Sequence, residues 1–558
     1  MFCLNKNLVN EFLNRIKTGD LNPEKLADMT TEERRSYFSS FLGDLNAEKV
    51  NTLFESKLLL KNQQQGILNW AKSVADLKPQ ARRDIISRIN KMDKVLNPET
   101  QDAFLADIAS HKLGVTVTME EAGQISSLAK DVSLKRDAIK ENSPPQSEER
   151  MAYGRAKAQF DDYINGLKEN ESNKKLSEYL KPENYLEGAS KVAGLAKSMK
   201  ASLDNSVIGR QGLKVLFSHP EIWLKNSKQS FIDIARTFGG HDVMTEVRAD
   251  VMSRPNALNG LYKKEGLAVG VREEAYPTNL PERLPVLGKA FKASETAFTA
   301  FQYRTRADIF DKYAEIYKDS GADLEGFGKI ANSLTGRGKL GALEPVGNII
   351  NNVFFSPRLL KSHIDTLTAH AFDKNISKAA RKEAATNLVK IIGGVAGILS
   401  IAYAVNPDSV ENDPRSSDFG KIKDGATRFD VSGGMASVVT LASRLTTLST
   451  KSSMTGKVKS LTSGKFGQPT GTDVLYSFIE NKLSPAASIV KDLLKGEDFQ
   501  HNKPTLVNEA SNLLMPLPIT NYKELKDNPD SANKLLVIIA DALGISANTY
   551  TNKKSTKF

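Results

Sequence analysis

Residues 391–405 read IIGGVAGILSIAYAV, a run without a charged side chain. Such a run hides its surface inside a protein core or in lipid, because apolar surface left in water is costly. As a helix it rises roughly 22 Å, at ~1.5 Å per residue. A bilayer core is about 30 Å thick and asks for about 20 residues. Length therefore favours a helix buried in a helical domain; insertion during assembly at an envelope is the second reading. Lys390 precedes the run and is able to snorkel to an interface. Gly393 and Gly397 have the GxxxG spacing that lets helices approach closely in lipid. Asn406-Pro407 predicts a sharp helix end. The residues expected to meet a membrane are Ile391, Ile392, Gly393, Gly397, Ile398, Leu399 and Ile401.

The surrounding pattern predicts a mainly α chain, an elongated multi-helix assembly with one small β-hairpin. Leu8, Phe12 and Ile16 recur at helical spacing, as do Leu53, Leu58 and Leu60. Thr30 to Arg34 has the hydroxyl-before-carboxylate order of a helix start. Glu141 to Ser147, with Pro144-Pro145, is a breaker. Between Leu284 and Tyr317 a long helix is expected, with Phe291, Phe298, Phe301 and Phe310 as core rather than ligand contacts. These signals divide the chain into 1–142, an N-terminal helical region; 143–203, a linker with charged helices; 204–375, a central helical domain; and 376–558, a C-terminal helical domain.

The hairpin is expected near 419–430. Two alternating runs flank Asp424-Gly425, which predicts a type I′ turn. Nearby, Arg415 and Arg428 are available to pair with Asp413, Asp418 or Asp430, while Pro414 fixes one dihedral. This predicts structural cement beside the apolar helix. Val431 leads through Gly433-Gly434 into another helix, yet no Asp or Glu occurs from Val431 to Thr472, and Ser, Thr and Gly fill the gaps. That composition predicts a flexible cationic loop. Arg444, Lys451, Lys457, Lys459 and Lys465 are its candidate phosphate contacts, by counterion release without sequence reading. A plain exposed loop fits equally. The formal net charge of +11 favours anionic partners such as nucleic acid or phospholipid. The tail from Asn552 to Phe558 is basic too, and the short apolar run Leu535 to Ala540 is expected to pack.

Motifs for bond-making chemistry are absent. Gly336-Arg337-Gly338-Lys339-Leu340 fails as a Walker A loop, with Ser333 where the first Gly belongs and Leu340 after the Lys. It reads as a flexible basic turn, with Arg337 and Lys339 as residual phosphate contacts. His363 and His370 share a helix face without a third ligand, so no metal is expected. No GxSxG elbow or dinucleotide fingerprint occurs. No catalytic residue and no cofactor is assigned, and a non-enzyme is expected. A helix-end glutamate of a cell-wall lytic enzyme is the least favoured alternative. The single cysteine, Cys3, rules out an intramolecular disulfide and fits folding in a reducing cytosol. The first residues lack a signal-peptide hydrophobic region, so another carrier is expected for any extracytoplasmic destination.

Several segments occur in a telling order: Asp204-Asn205-Ser206, Gly209-Arg210-Gln211-Gly212, Ser253-Arg254-Pro255-Asn256, Glu282-Arg283-Leu284-Pro285, Arg304-Thr305-Arg306-Ala307-Asp308 and Thr335-Gly336-Arg337-Gly338. They continue with Phe354-Phe355-Ser356-Pro357-Arg358, Asp413-Pro414-Arg415-Ser416-Ser417-Asp418-Phe419-Gly420, Thr427-Arg428-Phe429-Asp430 and Lys482-Leu483-Ser484-Pro485. Over about residues 204–550 the chain resembles helical regions of phage large polyvalent proteins, whose relatives are internal virion or ejection proteins. It departs from the large relatives in lacking a recognisable attached enzymatic domain. The resemblance implies a protein of the capsid interior or portal-proximal virion, passed into the host envelope or cytoplasm. It implies an oligomer with other virion proteins, such as portal or core proteins, as partners. Viral DNA and the host envelope membrane are further expected partners. A sequence-nonspecific DNA-associated virion protein and a portal or tail structural protein are the alternatives.

Overall fold

The computed structural model describes residues 23–74, 98–113, 115–140, 146–179, 207–270, 288–320, 323–341, 356–453, 455–462, 468–483 and 545–549, with scattered residues between them. Leu8, Phe12, Ile16, Lys465, the run Leu535 to Ala540 and the basic tail lie outside the described residues. The described residues are mainly helical, with small antiparallel sheets. They fall into two compact units, Met1–Leu134 with Gly166–Glu171, and Lys135–Asn165 with Ser172–Phe558.

In the first unit, α1 (Thr31–Leu42) starts at a full capping box. Thr30 Oγ accepts from the Glu33 amide, and the Glu33 carboxylate accepts from the Thr30 amide. It packs on α2 (Asp44–Val74) through the edge-to-face rings of Tyr37, Phe38, Phe41 and Phe54. Then come α3 (Pro98–Leu113) and α4 (Met119–Asp137), and Gln63 of α2 donates to Leu96 O at 3.0 Å and to Gln101 Oε1 at 2.8 Å. The helix α5 (Glu148–Tyr179) contributes to both units.

The second unit is built around α9. In chain order its helices are α6 (Leu213–Ser218), α7 (Pro220–Phe238), α8 (Val243–Met252), α9 (Gly288–Ile316), α10 (Phe327–Leu334), α11 (Pro357–Phe372), α12 (Lys378–Val405), α13 (Met435–Thr447) and α14 (Gly471–Glu480). Phe291, Phe298, Phe301 and Phe310 of α9 are all buried, so the aromatic stripe is core. Two arginines between them are engaged inside the unit as well. Arg304 pairs with the wholly buried Asp233 of α7. Arg306 donates to Thr335 Oγ1 and to Ala268 O, both at 2.8 Å.

The strands are β1 (Lys421–Asp424), β2 (Thr427–Asp430), β3 (Ser449–Lys451), β4 (Val458–Ser460) and β5 (Ser546–Thr549). The expected hairpin forms, with Asp424 opposite Thr427. Its turn is not type I′. That register makes Gly425 and Ala426 the central residues, and only Gly425 has positive φ, at 54°. This is the type II′ pattern, with Gly in the first central position. A third strand, β5, pairs with β2, and β3 pairs with β4 as a separate ribbon. The acid-free stretch is therefore not simply a flexible loop: it supplies α13 and this ribbon. Its Thr and Val residues suit strand backbone as readily as loop.

The buried-helix expectation for 391–405 fails. The helix starts earlier, at Lys378, and only 6% of its most apolar window is buried. Its N-terminal half supplies core residues, and beyond Ile391 its outer side faces solvent.

Candidate functional site

The inward seam of α12 runs its whole length. Ala380, Ala384, Asn387 and Ile391 are buried, Gly394 carries the ring of Phe217 from α6, and Ile398 and Ala402 are half-buried. These positions follow the three-and-four spacing of one helix face. Asn387 donates to the Tyr313 hydroxyl of α9 at 2.7 Å. The one carboxylate in the helix, Glu383, accepts from the Tyr317 hydroxyl at 2.8 Å and so is used internally.

Both ends are tied to the same unit. At the start, Ser377 Oγ caps the Ala380 amide, and Arg381 donates to the carbonyls of His370 and Asp373. At the end, buried Ser409 donates to Ala402 O at 3.2 Å and to Asn406 O at 2.7 Å. The next residue, Val410, bridges to Ile422 of β1, and Glu411 bridges to Phe419.

The outward side carries Val389 at 70% exposure, Ile392 at 55%, Ile401 at 70% and Val405 at 83%. Gly393, Ala396, Gly397 and Ser400 lie exposed among them, and a Cβ on Gly393 or Gly397 would meet nothing within 4 Å. Of the expected membrane contacts, Ile392, Gly393, Gly397 and Ile401 face outward, and Ile398 and Leu399 lie at the margin. Ile391 is a correction: at 1% exposure it belongs to the core, because it continues the seam from Asn387. Val389, Tyr403 and Val405 belong to the same apolar stretch and face outward too, though they are not among the expected contacts; extending the exposed side to both ends of the run brings them in.

The expected phosphate contacts do not come together as one site. Arg444 Nε donates to Arg415 O at 2.7 Å, and Lys451 pairs with Glu411 at 2.9 Å, so both are structural. Lys457 and Lys459 are exposed beside and on β4. Arg337 and Lys339 belong to a packed turn rather than a flexible one. The Arg337 amide donates to Asn332 O at 2.8 Å, Gly336 lies against Gln211, and Gly338 lies against the backbone of α11. Lys339 is exposed, with its ammonium laid over Gly266.

The cement around the hairpin resolves into specific pairs. Asp413 accepts from Arg415 through Nε at 3.0 Å and Nη2 at 2.8 Å, which holds its carboxyl down at about 2. Pro414 stands between that pair. Asp418 accepts from Arg428 Nε at 2.9 Å, and Arg428 also donates to Gly425 O in its own turn. Asp430 takes neither arginine; it accepts from the Ser432 amide at 2.8 Å and hydroxyl at 2.6 Å.

Two buried polar features remain. Lys214 of α6 donates to Ser362 Oγ at 3.0 Å and to Ser333 O, and burial pushes its amine down to about 7. A neutral amine beside a serine hydroxyl is nucleophile chemistry in an open cleft. Here Ser362 is wholly buried and donates its proton to Leu359 O at 2.7 Å, so the pair serves packing. Between α10, α11 and α12 lies a space of about 20 Å³, lined by Lys329, Ser333, Asp365 and Asn387 among apolar residues. Ser333 Oγ, Asp365 Oδ2 and Asn387 Oδ1 lack hydrogen-bond partners. The space suits a bridging water, which needs ~10–15 Å³, and is too small for an organic substrate. Among the described residues no group of His, Cys, Asp and Glu is arranged to hold a metal.

The chain matches no protein-family model, no curated protein and no solved structure.

Proposed function

We propose that this chain is an internal virion (ejection) protein of a bacteriophage, packaged in the particle and helping to deliver the genome across the host envelope. It acts as an oligomer with other virion proteins at the capsid interior or portal, and reaches the envelope or cytoplasm on delivery. The observation that carries this reading is the solvent-facing apolar half of α12, from Val389 to Val405. Apart from Lys390 near its start this surface carries no charge. An apolar surface of that length asks for lipid or a partner, and a protein that meets an envelope during delivery provides that setting. The ordered motifs over about residues 204–550, which resemble those of phage ejection proteins, are in keeping with the reading. The test is quantitative mass spectrometry of full and emptied particles. Delivery predicts that the protein is present in full particles and depleted after genome release; equal amounts before and after overturn it.

Exposed Lys457 and Lys459, in a stretch without carboxylates, favour a second reading as a sequence-blind DNA-associated virion protein. It predicts duplex binding that weakens steeply with salt. No duplex binding at low salt sinks it.

A further inference from the structure

We propose that α12 meets an anionic phospholipid bilayer side-on, lying in the interfacial plane, and does not cross it. This rests on the reading above only in taking the outer side of α12 as an envelope-facing surface.

The geometry of attachment carries the inference. A helix that crosses a membrane must be lipid-covered around its circumference, or packed on other spanning elements. The inner seam of α12 is instead occupied from Ala380 to Ala402 by the folded unit, and both ends are bound to it. Crossing would require withdrawing Gly394 from Phe217 and separating Val410 from Ile422. Lateral contact requires no such change, because Ile392, Ala396 and Ile401 already face out.

Charge complementarity names the partner. On the same helix Lys378, Lys382 and Lys390 are exposed, and the only carboxylate is engaged by Tyr317. A cationic end next to an uncharged apolar end is the surface of an interfacial helix. It sets isoleucines at the acyl boundary and lysines among anionic headgroups. A second copy of this chain would cover the apolar end but would offer these lysines no free carboxylate from its own helix, since Glu383 is engaged by Tyr317.

The test uses the full chain with Cys3→Ser and single cysteines placed at Ile392, Ala396 or Ile401, each labelled with an environment-sensitive fluorophore. Vesicles contain phosphatidylcholine alone or with phosphatidylglycerol, and lipid-borne quenchers report depth. The expected result is binding to the anionic vesicles, weakened by salt, with all three labels at one shallow depth. A spanning helix separates the labels at 392 and 401 by about 13 Å in depth, at ~1.5 Å per residue, and overturns the proposal. Absence of binding overturns it too, as does equal binding to neutral vesicles, or a dimer in solution whose labels are shielded before lipid is added. Ile392→Glu with Ile401→Glu should lower anionic-vesicle binding about tenfold or more without shifting the thermal melt, since both side chains point to solvent. Vesicle binding at full strength by that variant is a further contrary result. Depletion from emptied particles is a separate measurement, so this mode of contact and the delivery reading fail independently.

Discussion

The ring of Phe217 lies against the backbone of Gly394, so near that a methyl group on that glycine would stand 2.1 Å from the ring Cδ1. One residue before it Gly393, and three residues after it Gly397, face open space. Three glycines in one turn and a half thus have opposite requirements. Gly394→Ala should destabilise the second unit by about 1–3 kcal/mol, the usual cost of overpacking a tight contact. Gly393→Ala and Gly397→Ala should each stabilise by roughly 0.5–1 kcal/mol, through helix propensity alone. Thermal or urea denaturation of the three variants checks this. Equal effects at all three positions would show that the inner seam is misplaced.

The pair between Arg304 and Asp233 joins α9 to α7 where Asp233 has no exposure. Gln229 also donates to that carboxylate at 3.0 Å. Removing the guanidinium leaves a buried charge with one neutral donor. Arg304→Ala is therefore expected to cost about 3–5 kcal/mol. Arg304→Met combined with Asp233→Leu should recover most of the loss, because the cost lies in the stranded carboxylate. A double variant no better than the single one contradicts this account.

Acid should weaken the second unit through His219. Its ring stands edge-on to Tyr313 at 5.5 Å, and its Nδ1 is 3.0 Å from Ser218 Oγ. Burial lowers its pKa to about 4, helped by Lys312 and Lys390 and opposed by Glu221. A base depressed in the folded state gives stability that is complete above its unfolded value, near 6.5, and is lost as pH falls toward 4. The loss is on the order of 3 kcal/mol. His363, also buried, is shifted in the same direction. Melts across this window should show His219→Phe losing less stability than the parent between pH 6.5 and 4.5. Parallel curves would remove His219 from the explanation.

Local signals in the sequence translated well where one residue type has one physical use. The capping pair at Thr30 and Glu33, the aromatic stripe of α9 and the alternating runs around Asp424-Gly425 all formed what they encode. The turn type did not follow, because the ladder pairs Asp424 with Thr427 and so moves Gly425 to the first central position. β5 gave no signal: Ser-Ala-Asn-Thr has neither alternation nor bulk, and its pairing with β2 is a tertiary event. For α12 the length of the apolar run favours a core helix over membrane contact, but burial depends on what the chain places around a helix, and only one side of this one is covered. Among the expected contacts, Ile391 and Ile392 are chemically alike. Their opposite placement is set by phase with Ala384 and Asn387, which a list of apolar residues does not contain.

Lys214 should give the second unit a dependence on alkaline pH that mirrors the acid effect. Its side chain is 1% exposed as a residue, donates to Ser362 and Ser333, and has an amine held by burial at about 7 against an ordinary 10.5. Asp365 opposes that shift electrostatically and does not cancel it. Below about 7 the amine is protonated in both states, and the folded protein carries the full cost of a buried charge. Between about 7 and 10.5 the unfolded chain holds the proton and the folded one does not, so stability rises with pH through that window. The gain is on the order of a few kcal/mol, part of it masked as other groups begin to titrate. Lys214→Met keeps the stem's volume and removes the charge. It should melt higher than the parent at pH 6.5 and show a flatter rise toward pH 9.5, because burying an uncharged thioether side chain costs less than burying an ammonium. If Lys214→Met melts lower than the parent at pH 6.5, the hydrogen bonds to Ser333 and Ser362 outweigh the desolvation of the amine, and Lys214 is a net stabilising tie between α6, α10 and α11.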